Sequence, residues 1–168
     1  MAVDLSGVQH TAADVRFMQG MIGHHAQALD MTALVPTRSR REDMGLLALR
    51  ITLSQEDEIS MMGGWLEVRG EDVPGLHEHH EPGAMLMPGM LTAEEMSRLG
   101  DATGVAFDRL FLESMIQHHE GALIMVDGLY ATDGPGPASA ISPFPAHLLP
   151  YHRPHTARIT CLPTPIRH

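Results

Sequence analysis

The chain has 168 residues, enough for one domain with a hydrophobic core, and a formal net charge of −10. This acidic balance argues against a nucleic-acid partner, because proteins that bind phosphate backbones carry basic patches. No apolar run approaches the ~18 residues of a membrane span, and a single cysteine, Cys161, excludes an internal disulfide and a cysteine-rich zinc site. Aromatic residues make up only 4%, whereas 13 methionines and 12 histidines offer many metal ligands.

Two helices are predicted in the first part of the chain. The first begins at the capping sequence Thr11–Asp14 and continues to about Val35, where Pro36 is expected to end it. The second begins at a capping box, Ser39–Glu42, and runs to about Leu66. Its apolar residues recur at helical spacing and predict a buried stripe: Met44, Leu47, Ile51, Ile59, Met62 and Trp65.

Residues 70–91 are rich in Gly, Pro and His and are predicted to form a long loop. Thr92–Glu95 caps a short third helix that ends near Gly100, and Thr103 can cap a long fourth helix that ends near Tyr130. No segment shows the alternation of a strand, so we expect an all-α fold. Helices of this length most simply pack as an antiparallel bundle.

The composition changes at Ala131. The residues that follow contain 8 of the 12 prolines and one acidic residue, Asp133. Repeated prolines exclude long helices and predict an irregular or disordered tail. We therefore divide the chain into a helical domain, residues 10–130, and a Pro-rich tail, residues 131–168.

An internal repeat joins the first and fourth predicted helices. Asp14–Met31 aligns with Asp108–Met125 at a constant offset of 94, and nine of the eighteen positions are identical. Such a match within one chain indicates a duplicated structural unit. The identical pairs include Asp14/Asp108, Phe17/Phe111, Met21/Met115, His24/His118, His25/His119, Ala28/Ala122 and Met31/Met125.

On a helix at about 100° per residue, the shared residues of each copy fall on one face. Two such helices packed face to face would bring together four imidazoles and up to four thioethers, and the small Ala28 and Ala122 would permit a close approach. A lone histidine on an apolar stripe is usually a hydrogen-bonded core residue. The duplicated Met-x-x-His-His instead favours a metal site, because a shared metal satisfies several buried imidazoles at once. Asp14 and Asp108 are expected to cap their helices rather than to orient a histidine.

The donor types indicate the metal. Imidazole and thioether without thiolate suit copper better than zinc, magnesium or calcium. A di-iron carboxylate site would need glutamates on both helices. Glu113 and Glu120 in the second copy are matched by Gln19 and Ala26 in the first, so that alternative has little support.

A second cluster lies in the predicted loop, where His77–Glu81 precedes Met85, Met87 and Met90. Two interpretations stay open for it: metal capture by a flexible segment, or methionines that pack against the bundle. Met61 and Met62 at the end of the second helix are both interpreted as core residues.

These residues resemble the family catalogued as domain of unknown function 305. The resemblance covers about residues 10–130 and rests on the doubled Asp-x-x-Phe-x-x-x-Met-Ile-x-His-His-x-x-Ala-x-x-Met motif, the stretch Ile51–Leu66 and Met87-Pro-Gly-Met90. It implies a ferritin-like helical bundle, usually exported, with members linked to copper binding and copper tolerance. The ligand set that it implies is Met21, His24, His25, Met115, His118 and His119, with Met31 and Met125 as further candidates.

The sequence departs from that family pattern in two places. Members commonly begin with a signal peptide or anchor, and Met1–Ser6 shows no such segment. Members also continue with a second Gln-x-x-Glu-Ile-x-x-Met helix, whose counterpart near residues 136–161 is missing from the Pro-rich tail; a shifted reading frame after about Asp133 is our hypothesis for this change. Loss of that helix would expose one flank of the bundle, so marginal stability or self-association is expected.

The sequence therefore predicts a copper-binding protein that buffers or sequesters copper, in an exported (periplasmic or extracellular) setting if it follows the family. No nucleophile–base pair, phosphate loop or cofactor fingerprint indicates an enzyme. Two alternatives stay open: a ferritin-like metal oxidase that uses the same site, and a metal-free helical interaction module in which the histidines are core or pH-responsive groups.

Overall fold

A computed structural model describes residues 10–76 and 86–132 of the chain. These residues form four α-helices, α1 (Ala12–Arg38), α2 (Glu42–Val68), α3 (Ala93–Asp101) and α4 (Gly104–Thr132), and no strand occurs among them. The predicted all-α class is confirmed.

Helix α1 begins as predicted and ends later than predicted. The Thr11 side chain accepts from the Asp14 backbone N–H, and the Asp14 carboxylate accepts from the Thr11 N–H at 2.7 Å, which completes a capping box. Pro36 lies inside the helix rather than beyond its end. The helix continues past Pro36 to Arg38, and the Ser39 N–H donates to the carbonyl of Val35 at 2.9 Å.

Helix α2 corrects three sequence predictions. Its N-cap is Arg41, which makes no side-chain cap, so the expected Ser39–Glu42 capping box is wrong; Ser39 Oγ instead accepts from the Arg41 N–H. The predicted stripe is buried except for Ile59, which is partly exposed. Met62 is fully buried, but Met61 is 47% exposed and is not a core residue, because it points away from the stripe.

Helices α3 and α4 lie close to their predicted bounds. Thr92 and Glu95 form the predicted capping box of α3, which extends to Asp101. Helix α4 follows at Gly104 and continues to Thr132. Residues 70–76 and 86–91, the described parts of the predicted loop, contain no helix.

Helix α1 lies between α2 and α4 and contacts both. One core cluster combines Met31 and Val35 of α1 with Phe107 and Phe111 of α4, and the other combines the opposite end of α1, at Phe17–Ile22, with the later part of α4. Helix α4 therefore runs antiparallel to α1, and the repeated segments face each other across the centre of the bundle.

Several predictions concern segments outside the described residues: the histidines 77–80, Met85, Cys161 and most of the Pro-rich tail. The boundary between residues 10–130 and 131–168, the ferritin-like arrangement and the self-association remain predictions. In the described part of the chain, each helix is too short or too polar to cross a membrane.

Candidate metal centre

Two histidine pairs, one on α1 and one on α4, meet in the interior of the bundle. The imidazoles of His24, His25, His118 and His119 are between 0% and 2% exposed. The rings of His24 and His118 are closest, with centroids 3.8 Å apart and planes inclined by 38°. Within each helix the neighbouring rings are 6.2 Å apart. The predicted meeting of the two histidine pairs is therefore present.

The nearest two rings each keep a ring nitrogen without a hydrogen bond. His24 Nε2 donates to the carbonyl oxygen of Pro88 at 3.0 Å. In a neutral ring this leaves the lone pair on Nδ1, which is buried and has no hydrogen-bond partner. Nε2 of His118 is likewise buried and without a hydrogen-bond partner. Unsatisfied buried polar atoms are costly, so this pair of nitrogens is the candidate point for a ligand.

The outer two rings are oriented by hydrogen bonds of different kinds. His25 Nε2 donates to Glu58 Oε2 of α2 at 2.5 Å, and Ser54 donates to the other oxygen of that carboxylate. His119 Nδ1 donates to the carbonyl of Met115, one turn earlier on its own helix, at 2.8 Å. Hydrogen bonds of both kinds are those that fix the tautomer and orientation of metal-binding histidines.

The electrostatics of the cluster favour neutral rings. Burial, with a smaller contribution from the His25 ring, lowers the pKa of His24 to about 3. Burial and the neighbouring imidazoles, His24 first, hold the pKa of His118 well below 6.5. Burial also lowers the pKa of His25 to about 3, although Glu58 favours its charged form. Neutral imidazole is the form that binds metal, so the cluster is ready to act as a donor at neutral pH.

The candidate methionines lie in two groups on either side of the rings. Met31 and Met115 belong to one core cluster, and both are fully buried. Met21, also fully buried, belongs to the other cluster, against which the partly buried Met125 packs. The four thioethers are therefore not gathered at one point. Because the two helices are antiparallel, the methionine before the histidines of one copy lies on the same side as the methionine after the histidines of the other copy.

A turn at Met87–Leu91 closes over one side of the rings. Gly89 adopts a φ of 78°, and a Cβ on Gly121 of α4 would lie 1.9 Å from the Pro88 oxygen, so the turn packs directly on the α4 backbone. Gln27 fixes the far end of the turn by donating to the Leu91 carbonyl at 2.8 Å and accepting from its N–H at 2.7 Å. The Pro88 carbonyl is therefore held in place for His24.

Carboxylates do not complete a metal cage in the described residues. No group of three or more His, Cys, Asp or Glu side chains there is positioned to hold a metal ion. Glu113 is exposed and pairs with Arg109, and Glu120 is exposed, so neither supports a di-iron site. Asp14 caps α1 as expected, whereas Asp108 is buried within α4. The candidate donors are imidazoles with thioethers nearby.

Reasoning from the sequence missed three contributors to this centre: Glu58, the Pro88 carbonyl and the Gln27–Gly121 pair that holds the turn. Glu58 had a signal, because it shares the spacing of the buried stripe at Ile51, Met62 and Trp65, where a carboxylate needs a partner. The roles of the backbone carbonyl and of the close approach at Gly121 depend on how the turn packs, which helical periodicity does not describe.

Comparison with known proteins agrees with this architecture. The family described as Domain of unknown function (DUF305) matches residues 14–138. No protein of curated function matches the chain. Among solved structures, a DUF305 fragment from Deinococcus radiodurans is 29% identical with a TM-score of 0.75, and the alignment covers 90% of this chain and 95% of that one.

Two further structures are similar over most of their length. A candidate secreted DUF305 protein from Streptomyces coelicolor is 26% identical with a TM-score of 0.72, over 88% of this chain and 89% of that one. CopM in its Cu(I)-bound form is 25% identical with a TM-score of 0.64, over 90% of this chain and 94% of that one.

Proposed function

The chain belongs to the DUF305 family, and on that premise we propose that it binds copper and buffers or sequesters it at the histidine pairs of α1 and α4. The central ligands are His24 and His118. The further candidate ligands are His25, His119, Met21, Met31, Met115 and Met125. Because no three His side chains of the described residues are positioned to hold an ion, binding requires one or more of these ligands to move toward the central pair.

A single observation carries this proposal. The adjacent rings of His24 and His118 each hold a buried ring nitrogen, Nδ1 and Nε2 respectively, that has no hydrogen-bond partner. Leaving two such atoms unsatisfied costs about 1–3 kcal/mol each. A metal ion bound to both nitrogens would remove that cost. Imidazole and thioether are donor types that copper prefers.

The donor chemistry fits copper. Neutral imidazole serves both oxidation states, and thioether selects Cu(I) over harder cations. Similarity to CopM in its Cu(I)-bound form supports the same conclusion. Thioethers rather than thiols also suit an oxidising setting outside the cytoplasm, and the candidate secreted relative supports that part of the proposal.

The residues of the chain have separable tasks in holding the ion. The Pro88 carbonyl accepts a hydrogen bond from Nε2 of His24 and so keeps the proton on that nitrogen. The lone pair of Nδ1 is then available to bind the metal ion. Glu58 orients His25 by accepting from its Nε2. The apolar clusters on both sides exclude water from the rings and keep them neutral. We assign the site to storage rather than turnover.

The test is a titration with Cu(II), and with Cu(I) under reducing conditions against a chromophoric chelator. We expect His24→Gln/His118→Gln to bind each ion at least ~100-fold more weakly than wild type, about 2.7 kcal/mol. His10→Gln is the matched control, because His10 lies outside the cluster, beside Glu71 and Trp65. Circular dichroism verifies that each variant is folded.

Three outcomes decide the proposal. Unchanged affinity and stoichiometry in a folded double variant would refute the site. Oxygen consumption with Cu(I) turnover would replace storage by a metal oxidase at the same residues. Failure of wild type to bind either ion would favour the metal-free interaction module.

A further inference from the structure

The Met87–Leu91 turn presents one methionine to the surface and buries the other. Met90 is 6% exposed, and its sulfur accepts from the Met87 N–H at 3.4 Å, so it packs inside the turn. Met87 remains partly exposed. Three contacts hold the turn in place. The Met90 N–H donates to the Met87 carbonyl, Gln27 donates to the Leu91 carbonyl, and the turn backbone packs against Gly121. The backbone of Met87 is therefore held in place by the turn.

Met87 meets Met125 of α4 above Gly20 of α1. A Cβ at Gly20 would lie 3.3 Å from the methyl carbon and 3.7 Å from the sulfur of Met87, and 3.6 Å from the methyl carbon of Met125. Glycine at this position leaves the space in which the two methionine ends come together. Thioether ends from two separate segments thus share one small volume.

These two methionines differ from those of the core. Met87 and Met125 are both partly exposed. The packing methionines have no accessible surface: Met18, Met21, Met31, Met44, Met62 and Met115. A methionine that only fills the core need not be reached by solvent. A methionine that captures a soft cation from solvent must be accessible, and its sulfur supplies the ligand.

The thioether pair lies beside the imidazole pair. Gly20 and His24 are one turn apart on the same face of α1, about 6 Å along the helix axis. Pro88, the residue after Met87, holds His24 through its carbonyl. An ion at the two sulfurs would therefore be one helical turn from the nearest buried imidazole.

We propose that Met87 and Met125 form a second, outer metal site for a soft monovalent cation, through which Cu(I) reaches the buried histidines. The outer site follows from the meeting of two accessible thioethers over Gly20. Its role as an access route to the histidines rests on the proposed function; its ability to bind a soft cation does not.

The probe is Ag(I), a redox-inert monovalent cation, added to full-length protein with 13C-labelled methionine methyl groups. We expect Ag(I) to shift the methyl resonances of Met87 and Met125 first. Met87→Leu/Met125→Leu, which conserves volume and so the fold, should bind Ag(I) at least ~10-fold more weakly. Met61→Leu is the matched control, because Met61 is an exposed methionine on α2.

The same experiment in the His24→Gln/His118→Gln background separates this proposal from the proposed function. Shifts of Met87 and Met125 that persist there support the outer site, whatever happens at the histidines. Wild-type Ag(I) affinity in the double leucine variant overturns it, as do shifts of Met61 equal to those of Met87. Loss of Ag(I) binding in the histidine variant alone would place the ion at the imidazoles and also overturn it.

Discussion

The two copies of the repeat share their histidines and differ at the position that meets the Met87–Leu91 turn. Gln27 of α1 and Gly121 of α4 are separated by the repeat offset and face the same turn. Gln27 reaches it with two hydrogen bonds, whereas Gly121 leaves room for the backbone of Pro88 and Gly89. Duplication therefore set the paired histidines, and divergence at one position allowed a single turn to close over both copies.

The copies also differ in what orients their second histidine. Glu58 of α2 accepts from His25, while the helix carbonyl of Met115 accepts from His119. A carboxylate from a neighbouring helix links His25 to the packing of α2 on α1. The carbonyl of Met115 belongs to the same helix as His119. The first copy should therefore depend on its neighbours more than the second does.

The largest effect that we expect comes from Glu58. Glu58→Ala should lower the free energy of unfolding by about 3–4 kcal/mol, because it removes a buried carboxylate that accepts from both His25 and Ser54. Urea denaturation measures it. The exposed Glu56→Ala on the same helix is the control and should stay within about 0.5 kcal/mol of wild type. A loss below 1 kcal/mol would show that the first copy does not depend on α2 through this carboxylate.

The next effect concerns the turn. Gly121→Ala should destabilise the protein by about 2–3 kcal/mol, because its Cβ would overlap the Pro88 backbone and push the turn off α4. Copper affinity should fall with it, since Pro88 would release His24. Gly128→Ala, on the same helix with open space around the added Cβ, should be neutral or stabilising by up to about 1 kcal/mol. Equal effects of the two substitutions would contradict the close packing of the turn.

A third prediction tests whether His24 and His118 are equivalent. Their folded-state pKa values lie below the ordinary 6.5, about 3 for His24, so the unfolded chain binds protons first as pH falls. Their contribution to stability is therefore fully present above pH 6.5 and is lost as the pH falls toward 3. Between pH 7.5 and 6, the metal-free protein should lose about 0.8 kcal/mol for each histidine.

Denaturation at the two pH values measures this loss. His24→Gln and His118→Gln should each remove about 0.8 kcal/mol of it, roughly a third, because the pKa of His25 is lowered in the same way and His25 contributes a similar share. A variant that keeps the full wild-type slope would show that its histidine is already protonated in the folded protein at pH 6.

The sequence predicted which histidines meet in the bundle better than the contacts that orient them. Helical periodicity and the repeat placed His24 and His118 on facing helices, because both depend on local spacing. Pro36 and Met61 were misassigned, since a proline near a helix end and a methionine beside a stripe are decided by tertiary packing. The candidate methionines lie in two groups because α4 runs antiparallel to α1. The predicted antiparallel bundle implied this separation, but the periodicity of one helix on its own does not reveal it.

The smallest effect concerns the aspartates that begin the two copies. Asp14 completes the capping box of α1, and Asp14→Ala should cost about 1 kcal/mol. Asp108 is 5% exposed, and its Oδ1 has no hydrogen-bond partner among the described residues. Because an unsatisfied buried oxygen costs free energy, Asp108→Ala should change stability by less than about 0.5 kcal/mol. Thermal denaturation of both variants compares them. A larger loss for Asp108→Ala would mean that the second copy depends on its aspartate as the first does, and that their divergence is confined to the turn and Glu58.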